Sequence, residues 1–139
     1  DGQQRRAWLF VEDCCDAIQR VIERGAVGEI YNIAGGAEHA NLEVAKQILS
    51  LLGRSEELIR FVADRPGHDR RYAMNGTKLE ALGWRPSRPF EQTLRETMAW
   101  YQAHDSWWRP LVQRLREDPY HWLNRAPGAG PRQAAGTVL

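Results

Sequence analysis

The feature that most constrains this chain is a strand-then-helix alternation that begins almost at once. Trp8-Leu9-Phe10-Val11 is a short apolar run that stops at Glu12-Asp13, after which Cys14, Ala17, Ile18 and Val21 recur at helical spacing as far as Gly25. Asp13 is placed to cap that helix, and Gly25 to end it with a left-handed residue. Ile30 to Ala34 is a second strand-like run, closed by Gly35-Gly36. Asn41 then stands as the N-cap of a helix whose apolar positions are Leu42, Ala45, Ile48, Leu49 and Leu52, with Gly53 as its stop.

Ile59-Arg60-Phe61-Val62 is a third strand candidate, and it runs into a turn at Pro66-Gly67. A short helix is expected from Thr77 to Leu82, ending at Gly83. A longer one follows Pro89, with Phe90, Thr93, Leu94, Thr97 and Tyr101 on one face. Past Trp107-Trp108-Arg109-Pro110 a basic amphipathic stretch carries Leu111, Arg114, Leu115 and Arg116. From Asn124 onward the composition is Gly, Pro, Ala and Arg without periodicity, which predicts disorder. The order β-α-β-α-β-α-α predicts an α/β fold that is the end of a larger domain plus a small helical lobe, not a full doubly wound sheet.

Composition narrows the functional classes. The 139 residues are 42% hydrophobic and 27% charged, a globular balance, and the net charge of +1 makes no electrostatic case for a nucleic-acid partner. No apolar run has the length of a membrane span and no segment resembles a signal peptide, so a cytoplasmic protein is the default expectation. The two cysteines, Cys14 and Cys15, are adjacent, too few for a metal site and poorly placed for a disulfide. A redox pair and two small residues at the start of a helix are the readings they leave. The chain begins Asp1-Gly2-Gln3 without an initiator Met, which reads as a fragment or an incomplete gene product.

Two motifs of nicotinamide chemistry are missing from the sequence. No Gly-x-x-Gly-x-x-Gly segment follows an opening strand, and no Tyr-x-x-x-Lys pair occurs, so the chain by itself lacks the usual phosphate cradle and hydride-transfer machinery. What remains is a set of polar groups near turns: Arg6, Asn41 and the run from Asp64 to Tyr72. Arg6, Arg65, Arg70, Arg71 and His68 offer forks and a ring to diphosphate oxygens. Each has a plainer reading too. Arg6 fits an edge-strand charge, Asn41 a helix cap, and Asp64 with Arg65 a surface ion pair. Glu12-Asp13 looks like a catalytic acid pair, or a cap beside a solvated neighbour. Trp107-Trp108 fits the packing of a small lobe.

Taken together, several segments closely resemble the C-terminal part of the dTDP-glucose 4,6-dehydratases, which are extended short-chain dehydrogenases/reductases. They are Arg6 to Asp13, Gly28 to Gly36, Asn41 to Val44, Asp64 to Ala73, Leu82 to Pro86 and Trp107 to Leu111, in order across about residues 1 to 112. The first two are widespread among extended members; Asp-Arg-Pro-Gly-His-Asp-Arg-Arg-Tyr and Trp-Trp-Arg-Pro-Leu are the specific ones.

The resemblance implies the C-terminal portion of an extended Rossmann-type fold, with residues 113–139 as a basic helix and disordered tail. It implies that Arg6 contacts phosphate, that Asn41 holds the nucleotide through its amide, and that Asp64, Arg65, Pro66, Gly67 and His68 close over diphosphate and ribose. The intact protein is then an NAD-dependent lyase that takes a hydride from glucose C4, eliminates water across C5 and C6 and returns the hydride to C6. The product is a 4-keto-6-deoxy sugar nucleotide for rhamnose and related deoxysugars. Catalytic residues and the NAD site are expected upstream of Asp1, and the whole enzyme is expected to be a homodimer. Two positions depart from the family: Ala7 stands where it usually has Asp, and Asn75 where it usually has Asp. A GDP-mannose dehydratase, a UDP-sugar epimerase, or a non-catalytic nucleotide-sugar-binding module are the competing readings.

Overall fold

A computed structural model describes residues 1–64 and 66–117. Arg65, the tail from Asn124 and most of the segment 113–139 lie outside the described residues. The chain divides into two compact units, Asp1–Ala99 and Trp100–Leu139.

In the first unit, β1 (Arg5–Ala7) is the middle strand of a three-stranded sheet, antiparallel to β2 (Glu38–Ala40) and parallel to β3 (Arg71–Tyr72). Arg6 is level with His39 on one side and Tyr72 on the other. The first strand thus precedes the apolar run that predicted it. Trp8-Leu9-Phe10 instead leads into α1 (Val11–Arg24), with extended Phe10 at the N-cap. Asp13 is therefore inside the first turn, not at the cap. It is buried, accepts from Ser87 Oγ at 2.9 Å and lies 3.8 Å from Arg88.

Gly25 does end α1, but with φ of −70°, so not in the left-handed region. Glycine is needed there for space, because a Cβ would sit 2.5 Å from the Val21 carbonyl oxygen. At α2 (Asn41–Leu51) the N-cap is Ala40, whose N–H donates to the Glu43 carboxylate at 2.9 Å. Asn41 is the first helical residue and makes no capping bond. The stop at Gly53 is as expected: its φ is +61°, its N–H donates to Ser50 O at 3.1 Å, and the Arg54 N–H reaches Leu49 O at 2.9 Å, a Schellman closure.

Neither Ile30–Ala34 nor Ile59–Val62 is a strand among the described residues. A strand exists only where a neighbour completes its ladder, and apolar composition supplies no neighbour. A 3-10 turn (Glu56–Leu58) precedes the second of them. Next comes α3 (Thr77–Glu80), shorter than predicted, its first N–H held by Asn75 Oδ1 at 2.9 Å. The Asp-to-Asn departure therefore keeps its capping function. Past Gly83 the chain reaches α4 (Phe90–Ala103), directly after Pro89 and with Thr93 buried.

The core of this unit is small. Ala17 from α1, Leu79 from α3 and Trp84 are buried together, with Leu9, Val21, Ile33 and Leu82 packed around them. Helix α1 is apolar on a second face as well. Val11, Cys15, Ile18 and Ile22 fall on one stripe at helical spacing, and all four are exposed.

The second unit takes the end of α4 and α5 (Asp105–Glu117), which starts ahead of the predicted basic stretch and runs through Pro110. Trp100 stacks on His104 at 4.5 Å and meets Trp107 edge-on at 5.3 Å, while Trp108 Nε1 donates to Tyr101 O at 2.8 Å. The tryptophan pair thus packs this small helical unit, as its composition suggested.

Candidate nucleotide-diphosphate site

The parallel pairing of β1 with β3 sets Arg6 against the loop that precedes β3. Arg5 N–H donates to Arg70 O at 2.8 Å, which anchors the end of that loop. Arg6 Nη2 then donates to Asp69 O at 3.1 Å and lies 3.2 Å from His68 Nε2, Nη1 donates to Arg5 O at 2.7 Å, and the guanidinium sits 4.2 Å from the Tyr72 ring centroid. The Tyr72 hydroxyl donates in turn to Asp69 Oδ2. Arg6 is on the central strand, so the edge-charge reading is excluded. With Ala7 in the family's usual Asp position, backbone carbonyls, an imidazole and an aromatic face orient the arginine.

His68 Nδ1 is 2.6 Å from Asp64 Oδ1, and the other carboxylate oxygen of Asp64 accepts from Gln4 Nε2 at 2.9 Å. Gln4 is buried, and its carbonyl also accepts the Asn41 N–H at 3.0 Å. One continuous polar chain therefore runs from α2 through Gln4, Asp64 and His68 to Arg6. Asp64 is engaged by Gln4 and His68. Pro66-Gly67 form the predicted turn, and Gly67, at φ of +69°, occupies a conformation that side chains rarely adopt. Arg65 lies outside the described residues.

Gln4, Asn41, Asp64 and His68 line a cleft of about 270 Å3 together with Leu42, Phe61 and others, and Arg6 reaches it through His68. Four of the residues singled out in the sequence, Arg6, Asn41, Asp64 and His68, thus come into one neighbourhood. Arg70 and Arg71, by contrast, are taken up elsewhere. Arg70 binds both oxygens of Asp1 at 2.8 Å, and Arg71 is bidentate to Glu38 at 2.7 and 2.5 Å. The hydrogen bond from Arg71 holds the Glu38 carboxyl below its usual range, and Glu38 raises Arg71 in return. A cluster of four arginines open to one anion is therefore not what the fold builds.

Sequence reasoning missed Gln4, and it included Tyr72 in the run from Asp64 without giving it a role. Gln4 sits two residues before Arg6, the spacing at which an extended chain repeats its direction, and that was the available signal. Glu12 and Asp13 are both engaged by other side chains of the unit. Arg88 binds Glu12 at 2.9 Å and Glu96 at 3.0 Å beside buried Asp13, and its pKa is raised mainly by the bond to Glu12. A larger cleft of about 630 Å3, lined by Trp8, Phe10, Asp13, His39, Trp84, Arg88 and Phe90 among others, contains none of the residues expected to bind substrate. Size alone does not single it out, and the polar network lies at the smaller one. Among the described residues no group of His, Cys, Asp and Glu is arranged to hold a metal, and no helix is long and apolar enough to cross a membrane.

The family described as GDP-mannose 4,6 dehydratase matches residues 1–97. The chain belongs to that family. Its relatives include dTDP-glucose 4,6-dehydratase of Neisseria meningitidis serogroup B, 48% identical over 124 residues, covering 81% of this chain and 35% of that protein. The crystal structure of dTDP-glucose 4,6-dehydratase from Bacillus anthracis in complex with NAD superposes with a TM-score of 0.74 at 48% identity, over 80% of this chain and 35% of that one. The Streptomyces venezuelae dTDP-glucose 4,6-dehydratase, with NAD and TYD bound, gives 0.75 at 43% identity over the same shares. This family member thus has the fold of the C-terminal portion of extended Rossmann-type dehydratases, and it spans about a third of the length of these relatives.

A dinucleotide does not fit the residues described. β1 enters α1 through Trp8-Leu9-Phe10 and β2 enters α2 with no intervening residue, so neither junction offers a glycine cradle at a helix N-terminus. No step of chemistry through NAD is therefore assigned to this segment.

Proposed function

We propose that this chain is the part of a dTDP-glucose 4,6-dehydratase that holds the nucleotide sugar, with residues 1–112 as the substrate-binding portion. The observation that carries the reading is the cleft lined by Asn41, Asp64 and His68, with Arg6 held against His68 beside it by the pairing of β1 with β3. Arg6 would meet the diphosphate, Asn41 would bind the nucleotide through the amide that capping leaves unused, and Asp64, Arg65, Pro66, Gly67 and His68 would close over diphosphate and ribose. The identity of 48% to a named dTDP-glucose dehydratase supports the dTDP branch over GDP-mannose within the family.

The whole enzyme would be an NAD-dependent lyase making a 4-keto-6-deoxy sugar nucleotide for deoxysugar synthesis, as a cytoplasmic homodimer. NAD and the reacting groups would belong to the part of the relatives that this chain does not span. The segment's own contribution is to select the substrate and fix its position, which converts binding energy into orientation.

Calorimetric titration of the full chain with dTDP, GDP and NAD at fixed salt tests this. The expected result is micromolar binding of dTDP, weaker binding of GDP and none of NAD. Arg6→Ala should weaken dTDP by tenfold or more, the loss of one charge-assisted bond of about 1.5–3 kcal/mol. Equal affinity for GDP and dTDP would overturn the assignment of substrate, and no binding of either would overturn the site.

A further inference from the structure

An arginine presents a diphosphate with two parallel N–H bonds along either its end or its side, and both of those edges include Nη2. In this structure both Nη2 hydrogens are engaged, one toward His68 Nε2 at 3.2 Å and one to the Asp69 carbonyl at 3.1 Å. Neither fork of Arg6 is open.

His68 can accept from Arg6 only while it is neutral. Its Nδ1 faces the Asp64 carboxylate at 2.6 Å, which assigns the ring hydrogen to Nδ1 and leaves a lone pair on Nε2. A ring protonated on both nitrogens would put an N–H and a positive charge against the guanidinium. The charged groups that face the ring among the described residues are Asp64 from its own loop and Arg6 from β1. Gln4, which holds the other Asp64 oxygen, is neutral, and the Asp69 carboxylate is turned to Tyr72. From α2 the cleft receives Asn41, Leu42 and Ala45, none charged; Arg60 and Asp1, the latter paired with Arg70, complete its charged lining.

We propose that His68 is a proton-operated latch on Arg6: a diphosphate that takes the Arg6 fork displaces Nε2, and the released ring takes a proton from solvent and donates it as a hydrogen bond to the anion. The inference rests on the diphosphate reading above and adds a linkage to it. Ligand binding and proton uptake become one equilibrium, because the bound state carries a proton that the unbound state lacks.

The test is titration of the full chain with dTDP-glucose, whose diphosphate, unlike the terminal phosphate of dTDP, has no group titrating near pH ~6. Measured in two buffers of different ionisation enthalpy at neutral pH, the apparent heat should differ in the sense of proton uptake. Affinity should rise about tenfold as pH is lowered across the imidazole range, the worth of one charge-assisted bond. His68→Gln keeps a donor for Asp64 and an acceptor for Arg6 but does not titrate, so its affinity should stay at the weaker high-pH level at every pH, with the buffer dependence lost. The His68 ring-proton resonance, moving to its protonated position on ligand addition, gives the same readout without a variant. Binding with no proton uptake, or uptake unchanged in His68→Gln, overturns the latch and leaves the diphosphate site standing. No binding of dTDP-glucose at any pH overturns both.

Discussion

Around β1 and β3 the side chains of Gln4, Arg6, Asp64, His68 and Tyr72 each meet a partner from this chain, whereas along α1 the stripe of Val11, Cys15, Ile18 and Ile22 lies against solvent. The difference follows from the forces involved. Hydrogen bonds are pairwise and directional, so a handful of residues can satisfy one another completely. Apolar burial grows with area and needs a second layer, and a helix that is apolar on two faces is built to lie between two layers. Here one face packs on Leu79 and Trp84 and the other does not pack within the described residues. The polar site is thus the self-sufficient region and the core the thin one.

The largest expected effect strikes the thin region. Leu79→Ala removes the one large side chain that is wholly buried among the described residues. At about 2–5 kcal/mol it should abolish cooperative unfolding in a denaturation experiment, since the core around it has so few members. A sharp transition in that variant would show that the core carries less of the stability than the sheet does.

The bare stripe should act next. Ile18→Lys with Ile22→Lys should lower self-association, read by sedimentation, while shifting stability by no more than about 0.5 kcal/mol per site, because both side chains are already exposed. A monomeric unaltered chain would remove the contrast between the two regions.

The smallest effect belongs to the polar side and concerns acid. Glu38 has its pKa lowered, first by the hydrogen bond from Arg71, and Glu29 is lowered by Lys78. A lowered carboxylate contributes stability that is present above its unfolded pKa and lost as pH falls through the folded value. Stability should therefore hold from neutral pH to about pH 4.5 and decline below it, within the ordinary carboxylate range and beneath. Glu38→Gln should flatten part of that decline, measured by thermal unfolding at several pH values. Both pairs are open to solvent, so added salt should shrink the effect.

Helices and their stops were legible because their signals are local: the periodicity of α1, the left-handed Gly53, the Pro89 before α4. Strands and caps were not. Ile30–Ala34 and Ile59–Val62 have strand composition without a ladder partner, and the strands that do form, Arg5–Ala7, Glu38–Ala40 and Arg71–Tyr72, are mostly polar or charged. Ala40 and Phe10 stand at N-caps where side-chain preference favours Asn41 and Asp13. The site was legible mainly through family resemblance, which named Arg6, Asn41, Asp64 and His68. Gln4 escaped because it gains meaning only from Asp64, far along the chain, and Tyr72, though inside the run singled out, gains a role only from the strand pairing that lays it beside Arg6.

The parallel pairing of β1 with β3 also bears on how the molecule assembles. Arg6 and His68 are 62 residues apart, so bringing them together closes a loop that contains α1, β2 and α2. The entropy of that closure must be met before the contact returns anything, which makes the site a late event on the folding path and a slow one relative to the helices. A ligand that recognises this pocket therefore reports on the finished chain alone. By mass action it should hold the chain in that state, by about 2.7 kcal/mol at a hundredfold excess over its Kd.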